Sequence, residues 1–109
     1  MSIEIKSNNF QASFNTNYYI DTSSNSVSVT LPISPITGST FIISDKEGTF
    51  DINSVTILSN ASSTILNSSN DFEINIKNSK LKFIYVDVHG YLLFYSQLLL
   101  ASQYANYIR

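Results

Sequence analysis

Residues 18–94 alternate apolar and polar positions in short runs, and Ser, Asn, Asp or Gly interrupts each run after a few residues. Ser26-Val27-Ser28-Val29-Thr30-Leu31, Phe72-Glu73-Ile74-Asn75-Ile76 and Lys80-Leu81-Lys82-Phe83-Ile84-Tyr85-Val86 each place apolar side chains on one face, as a half-buried strand requires. Further strands are predicted at 18–22, 40–44, 55–58, 64–66, 81–88 and 91–94, separated by turn residues at about 8 to 12 positions. That rhythm belongs to a sandwich or barrel and not to a chain alternating strands with helices. The predicted fold class is all-β, a small antiparallel β-sandwich or barrel-like module of about 7–9 short strands with a short C-terminal helix.

The punctuation predicts the connections. Ser23-Ser24-Asn25 reads as the turn of a hairpin joining 18–22 to 26–31, because Asn tolerates positive φ. Pro32 and Pro35 end the ladder, since neither can donate a backbone hydrogen bond, and Thr37-Gly38 turns the chain into the next strand. Asp45-Lys46-Glu47-Gly48-Thr49 reads as a solvated hairpin turn with Gly48 in a left-handed conformation.

The ends differ from the body. Residues 1–17 alternate weakly through Ile3, Ile5, Phe10, Ala12 and Phe14, which fits either an edge strand or an arm that orders on a partner. Residues 96–109 change period: Leu100, Tyr104 and Ile108 recur at helical spacing behind Ser96, a candidate N-cap. The expected division is therefore 1–17 as arm or edge strand, 18–95 as β module, and 96–109 as a helical interaction tail. If that tail does not pack on its own sheet, it leaves an apolar patch of the kind that marks partner surfaces. The candidate partner interface comprises Phe10, Phe14, Leu98, Leu99, Leu100, Tyr104, Tyr107 and Ile108.

Composition narrows the function classes. A chain of 109 residues without Cys forms one domain held by packing and hydrogen bonds, with no disulfide or thiolate chemistry. The net charge of −2, with 13% charged residues, is neither the basic footprint of a nucleic-acid binder nor a polybasic membrane patch. Ser, Asn and Thr instead make up 39 of the 109 residues. Such a neutral hydrogen-bonding surface suits dense protein assemblies, and codon bias toward A and T enriches the same residues. No basic start followed by an apolar core is present, so secretion is not expected, and no run reaches the roughly 20 apolar residues of a membrane span.

Candidate chemistry is sparse. His89 is the only histidine and has no second His or Cys to share a metal, and no nucleophile motif accompanies it. Asp45, Glu47 and Asp51 surround Gly48, but their spacing departs from the twelve-residue loop that holds a hard cation. Asn60-Ala61-Ser62 and Asn67-Ser68-Ser69 match the glycosylation sequon, yet triplets of this kind arise readily in a chain rich in Asn and Ser. Lys77, Lys80 and Lys82 are expected to be edge lysines that discourage strand aggregation. No catalytic, metal-ligating or cofactor-binding residue is predicted, and the chain is expected not to be an enzyme.

Tyr19-Ile20-Asp21-Thr22, then Val27-Ser28-Val29-Thr30-Leu31-Pro32 and Ser34-Pro35-Ile36-Thr37-Gly38-Ser39-Thr40-Phe41, resemble a small β module of tailed-bacteriophage structural proteins. The order continues through Ile43-Ser44-Asp45, Gly48-Thr49-Phe50, Asn53-Ser54-Val55-Thr56-Ile57 and Phe83-Ile84-Tyr85-Val86 to His89-Gly90-Tyr91. Two positions depart from the family: Tyr91 stands where Trp is frequent, and residues 60–70 lack the family's glycines. The resemblance covers about residues 18–94 and implies tail-fibre, neck or head-appendage, or capsid-associated settings, often as trimers. The resulting expectation is a non-enzymatic virion component, most simply a capsid-associated auxiliary or decoration protein, made in the bacterial host cytoplasm. It would bind other virion proteins and itself, with a trimer favoured and with no nucleic acid or membrane partner. The alternative is a tail-fibre or appendage module that binds host-surface carbohydrate or a receptor.

Overall fold

Through its first six strands the chain changes sheet at every step. A computed structural model of the chain describes residues 1–59, 64–87 and 90–95, of which 92–95 by backbone alone. The strands are β1 (Ser2–Lys6), β2 (Phe10–Gln11), β3 (Thr16–Ile20), β4 (Val27–Thr30), β5 (Thr40–Asp45), β6 (Val55–Leu58), β7 (Phe72–Ile74), β8 (Lys80–Val86) and β9 (Gly90–Tyr95). One sheet has the order β1-β3-β5-β8-β9 and the other β2-β4-β6-β7. Among the described residues the protein is all-β, with two sheets facing each other as in a sandwich.

The predicted antiparallel module and its first hairpin are corrected by this topology. β3 and β4 lie in different sheets; β3 pairs in parallel with β1 and β5, and β4 in parallel with β2 and β6. Antiparallel pairing begins only with β6–β7, β5–β8 and β8–β9. Both sheets are therefore mixed. The first six strands alternate between the sheets, crossing from the larger to the smaller three times and returning one strand further along after the first two crossings. Parallel and antiparallel strands share the same period of two, so alternation cannot distinguish them. Among the described residues there is no helix, and the predicted 96–109 tail lies outside them.

Side-chain hydrogen bonds hold successive corners of the winding together. Asn25 Nδ2 donates to Ser7 O at 3.3 Å, and Ser28 N donates to Asn9 Oδ1 at 2.8 Å, tying the second corner to the first. Asn53 Nδ2 donates to Thr22 O at 2.9 Å, while the Thr22 and Thr49 hydroxyls meet at 2.7 Å, tying the third to the second. Amide and hydroxyl side chains satisfy backbone groups where no ladder continues, which gives the abundant Asn, Ser and Thr a structural use.

The third corner absorbs the segment predicted as a hairpin turn. Gly48 does adopt positive φ (69°), but 45–54 carries the chain from β5 to β6 in the opposite sheet. Asp45 organises it: its carboxylate accepts from the N–H groups of Thr49 (3.1 Å), Phe50 (3.1 Å) and Asn78 (3.0 Å). The last of these joins the corner to the β7–β8 turn.

A single core fills the space between the sheets. Tyr18 and Ile20 of β3, Phe41 and Ile43 of β5, and Leu81 and Phe83 of β8 face Val27 and Val29 of β4, Val55 and Ile57 of β6, and Phe72 and Ile74 of β7. Contacts across the gap include Phe10 with Tyr18 (ring centroids 4.7 Å apart) and Phe72 edge-on to Phe83 (6.4 Å, 81°). Phe50 and Ile65 reach the core from loops. The predicted 64–66 strand is reduced to isolated bridges from Ile65 to Ser68 and Tyr91. Lys80 and Lys82 lie on the outer face of β8, an interior strand of its sheet, and Lys77 lies in a turn, so none is an edge lysine.

Candidate partner interface

At β1 the usual rule of apolar side chains inward is reversed. Register places Ser2 beside Thr16, Glu4 beside Tyr18 and Lys6 beside Ile20, so the polar residues share the core-facing side with buried positions of β3. Ile3 and Ile5 share the outer side with Asn17 and Tyr19 and remain 68% and 64% exposed. Glu4 and Lys6 pair at 3.1 Å, and the Lys6 ammonium lies 5.4 Å from the centre of the Phe10 ring. This arrangement is stable because β1 is outermost, where its charged side chains reach water past the rim of the core.

Exposed isoleucines also stand at both ends of the smaller sheet. Ile33 and Ile36 (75% and 71% exposed) flank Pro35 on the loop leaving β4, and Ile52 (75%) lies on the loop entering β6. β4 and β6 run parallel with Val27 beside Val55, so these loops sit at opposite ends of the strands.

The structure places two of the predicted interface residues against the core. Phe10 packs on Tyr18, and Phe14 stacks on Tyr91 with centroids 6.4 Å apart; both are half-buried. Leu98, Leu99, Leu100, Tyr104, Tyr107 and Ile108 lie outside the described residues, as does His89. The outward isoleucines of β1 were missed because alternation defines two faces without saying which is inner. The signal available was the pair Glu4 and Lys6, which makes either assignment of faces leave something apolar or charged in an unusual place.

Around Gly48 two of the three acids are committed to local partners. Asp45 binds three backbone N–H groups, Glu47 pairs with Lys46 at 2.5 Å, and Asp51 is exposed. The Glu47 carboxylate holds the Lys46 ammonium above its ordinary pKa, and the Ser23 hydroxyl and N–H hold the Asp21 carboxyl below its ordinary value. Among the described residues no three His, Cys, Asp or Glu side chains group to hold a metal, and no helix is long and apolar enough to cross a membrane.

Tyr91 fills an aromatic slot in the core, edge-on to Phe41 (5.9 Å) and Tyr85 (5.3 Å). Its hydroxyl is enclosed with no hydrogen-bond partner among the described residues, and burial, with a smaller effect of Tyr85, pushes the phenol well above its usual pKa. A buried hydroxyl without a partner costs about 1–3 kcal/mol of desolvation. Tyr91→Phe is therefore expected to raise the free energy of unfolding by about 1 kcal/mol, after allowance for the small void left by the oxygen. Urea denaturation checks this, and a lowered midpoint would show that the hydroxyl has a stabilising partner.

No protein-family model matches this chain, and no curated protein matches it in sequence.

Proposed function

We propose that this chain is a non-enzymatic structural component of a tailed-phage virion, a capsid-associated auxiliary or decoration protein that binds neighbouring virion proteins. The setting rests on the resemblance of the segments between Tyr19 and Tyr91 described above. The contact role rests on one observation: Ile33, Ile36 and Ile52 remain exposed at opposite ends of a body whose core is already filled. Apolar side chains left outside a complete core contribute most when a partner removes them from water, each by roughly 1.5–3 kcal/mol if fully covered. Hydrogen bonds of Asn53 and Thr49 to Thr22 hold the Ile52 loop, and those of Gly38 N to Tyr85 O and Asp87 N to the Thr37 hydroxyl hold the far end of the Ile33–Ile36 loop, which lowers the ordering entropy that opposes docking.

Mass spectrometry of purified particles should find the chain, and an Ile33→Ser/Ile36→Ser variant should fold normally yet be incorporated at least about tenfold less. A chain absent from particles, or a variant incorporated as well as the parent, would overturn the proposal. Specific binding on a glycan array would replace it with the appendage reading.

A further inference from the structure

We propose that two copies of this chain pair edge to edge through β1, antiparallel across a two-fold axis, with Ile5 opposite Ile5 and Glu4 opposite Lys6 of the other copy. This is a property of the isolated chain and does not depend on its being a virion component.

The open edge is defined by hydrogen bonds on the closed one. Ser2 N donates to Asn15 O at 3.0 Å, and Lys6 O accepts from Asp21 N at 2.8 Å. Alternation along a parallel ladder then turns the backbone groups of Ser2, Glu4 and Lys6 toward β3, leaving those of Ile3 and Ile5 directed at the open edge. Among the described residues no strand pairs with these N–H and C=O groups, and beside exposed Ile3 and Ile5 they form a template for another strand.

Charge selects the occupant and its register. Glu4 and Lys6 lie two residues apart on one face, so Ile3-Glu4-Ile5-Lys6 is complementary to itself when reversed about Ile5. In that register the two Ile5 residues exchange backbone hydrogen bonds, and Glu4 faces Lys6 in the closer, non-hydrogen-bonded pairs on either side. Sliding two residues one way sets Glu4 against Glu4, and sliding the other way sets Lys6 against Lys6. A slip of one residue opposes groups that point toward the edge with groups that point away. The same charges that blunt the edge against indiscriminate pairing therefore admit one closed arrangement. On the outer face, Ile3 and Ile5 of both copies, flanked by Tyr19, form a continuous apolar strip.

Sedimentation equilibrium over roughly 10 µM to 1 mM, a range suited to a small interface, should show a concentration-dependent rise from the 12.2 kDa chain to twice that mass. Glu4→Lys and Lys6→Glu should each weaken self-association at least about tenfold, because each replaces attractive cross-strand pairs with repulsive ones. An equimolar mixture of the two variants should recover the dimer, since one then presents lysine at both charged positions of β1 and the other presents glutamate at both. Misfolding of either variant would not give that recovery, and matching circular dichroism spectra confirm intact folds. A parent that stays monomeric throughout, a trimer indifferent to both substitutions, or a mixture no tighter than its components would overturn the proposal.

Discussion

Replacing Gly90 with alanine is expected to lower stability by about 3 kcal/mol or more, a large share of the roughly 5–15 kcal/mol that holds a domain folded. Gly90 opens β9 with φ of 78°, a left-handed conformation that costs a residue bearing a Cβ about 1–2 kcal/mol. A Cβ there would also run into the Thr64 carbonyl oxygen and hydroxyl, and would come within 2.8 Å of the Thr64 carbonyl carbon. Thr64 cannot simply withdraw. Its carbonyl accepts from Tyr91 N at 2.8 Å, and Leu66 N donates to Tyr91 O at 2.8 Å, so this segment is fastened to the start of β9. Gly38→Ala supplies the comparison, because Gly38 also has positive φ (95°) but has nothing within 4 Å of its Cβ position. Urea midpoints should fall much further for Gly90→Ala than for Gly38→Ala. Equal losses would mean that the Thr64 contact relaxes at little cost.

Phe83→Ala is expected to cost about 3–5 kcal/mol, the range for emptying a large aromatic site in a core. Phe83 is wholly buried on β8, stacked on Phe41 of β5 (4.9 Å, 3°) and edge-on to Phe72 of β7 (6.4 Å, 81°). It therefore joins two neighbouring strands of one sheet and reaches across to the other. Phe83→Leu keeps most of the volume and should cost about 1.5 kcal/mol, while Lys82→Ala on the outer face should stay within about 0.5 kcal/mol. The ordering alanine, then leucine, then Lys82→Ala in thermal unfolding is the test. Similar losses at positions 82 and 83 would contradict the assignment of faces on β8.

Most strand positions were legible because burial leaves a period-two trace. Val27, Val29, Val55, Ile57, Leu81 and Phe83 alternate with polar or partly exposed residues and all fall in the core. Turn chemistry was legible where only one conformation serves, as at Gly48. Ser23-Ser24-Asn25 misled, because the same residues close a hairpin or carry a chain around a corner. The corner is favoured by partners remote in sequence, Asn25 with Ser7 and Thr22 with Thr49 and Asn53. At the candidate interface, exposed Ile33, Ile36 and Ile52 look like core residues in sequence and differ only in lying on loops beyond the strand ends.

By itself the sequence determined that the body of this chain is all-β, where most of its strands lie, and that without cysteine it has no disulfide or thiolate chemistry. Those properties depend on local backbone preference, on the two-residue period of side chains and on composition. Only the tertiary structure decided that the early strands alternate between two sheets and pair in parallel within each, that Glu4 and Lys6 face inward while Ile3 and Ile5 face out, and that Gly90 must lack a side chain. Strand direction, register and close approach depend on which distant segments meet, and alternation is the same for every such pairing.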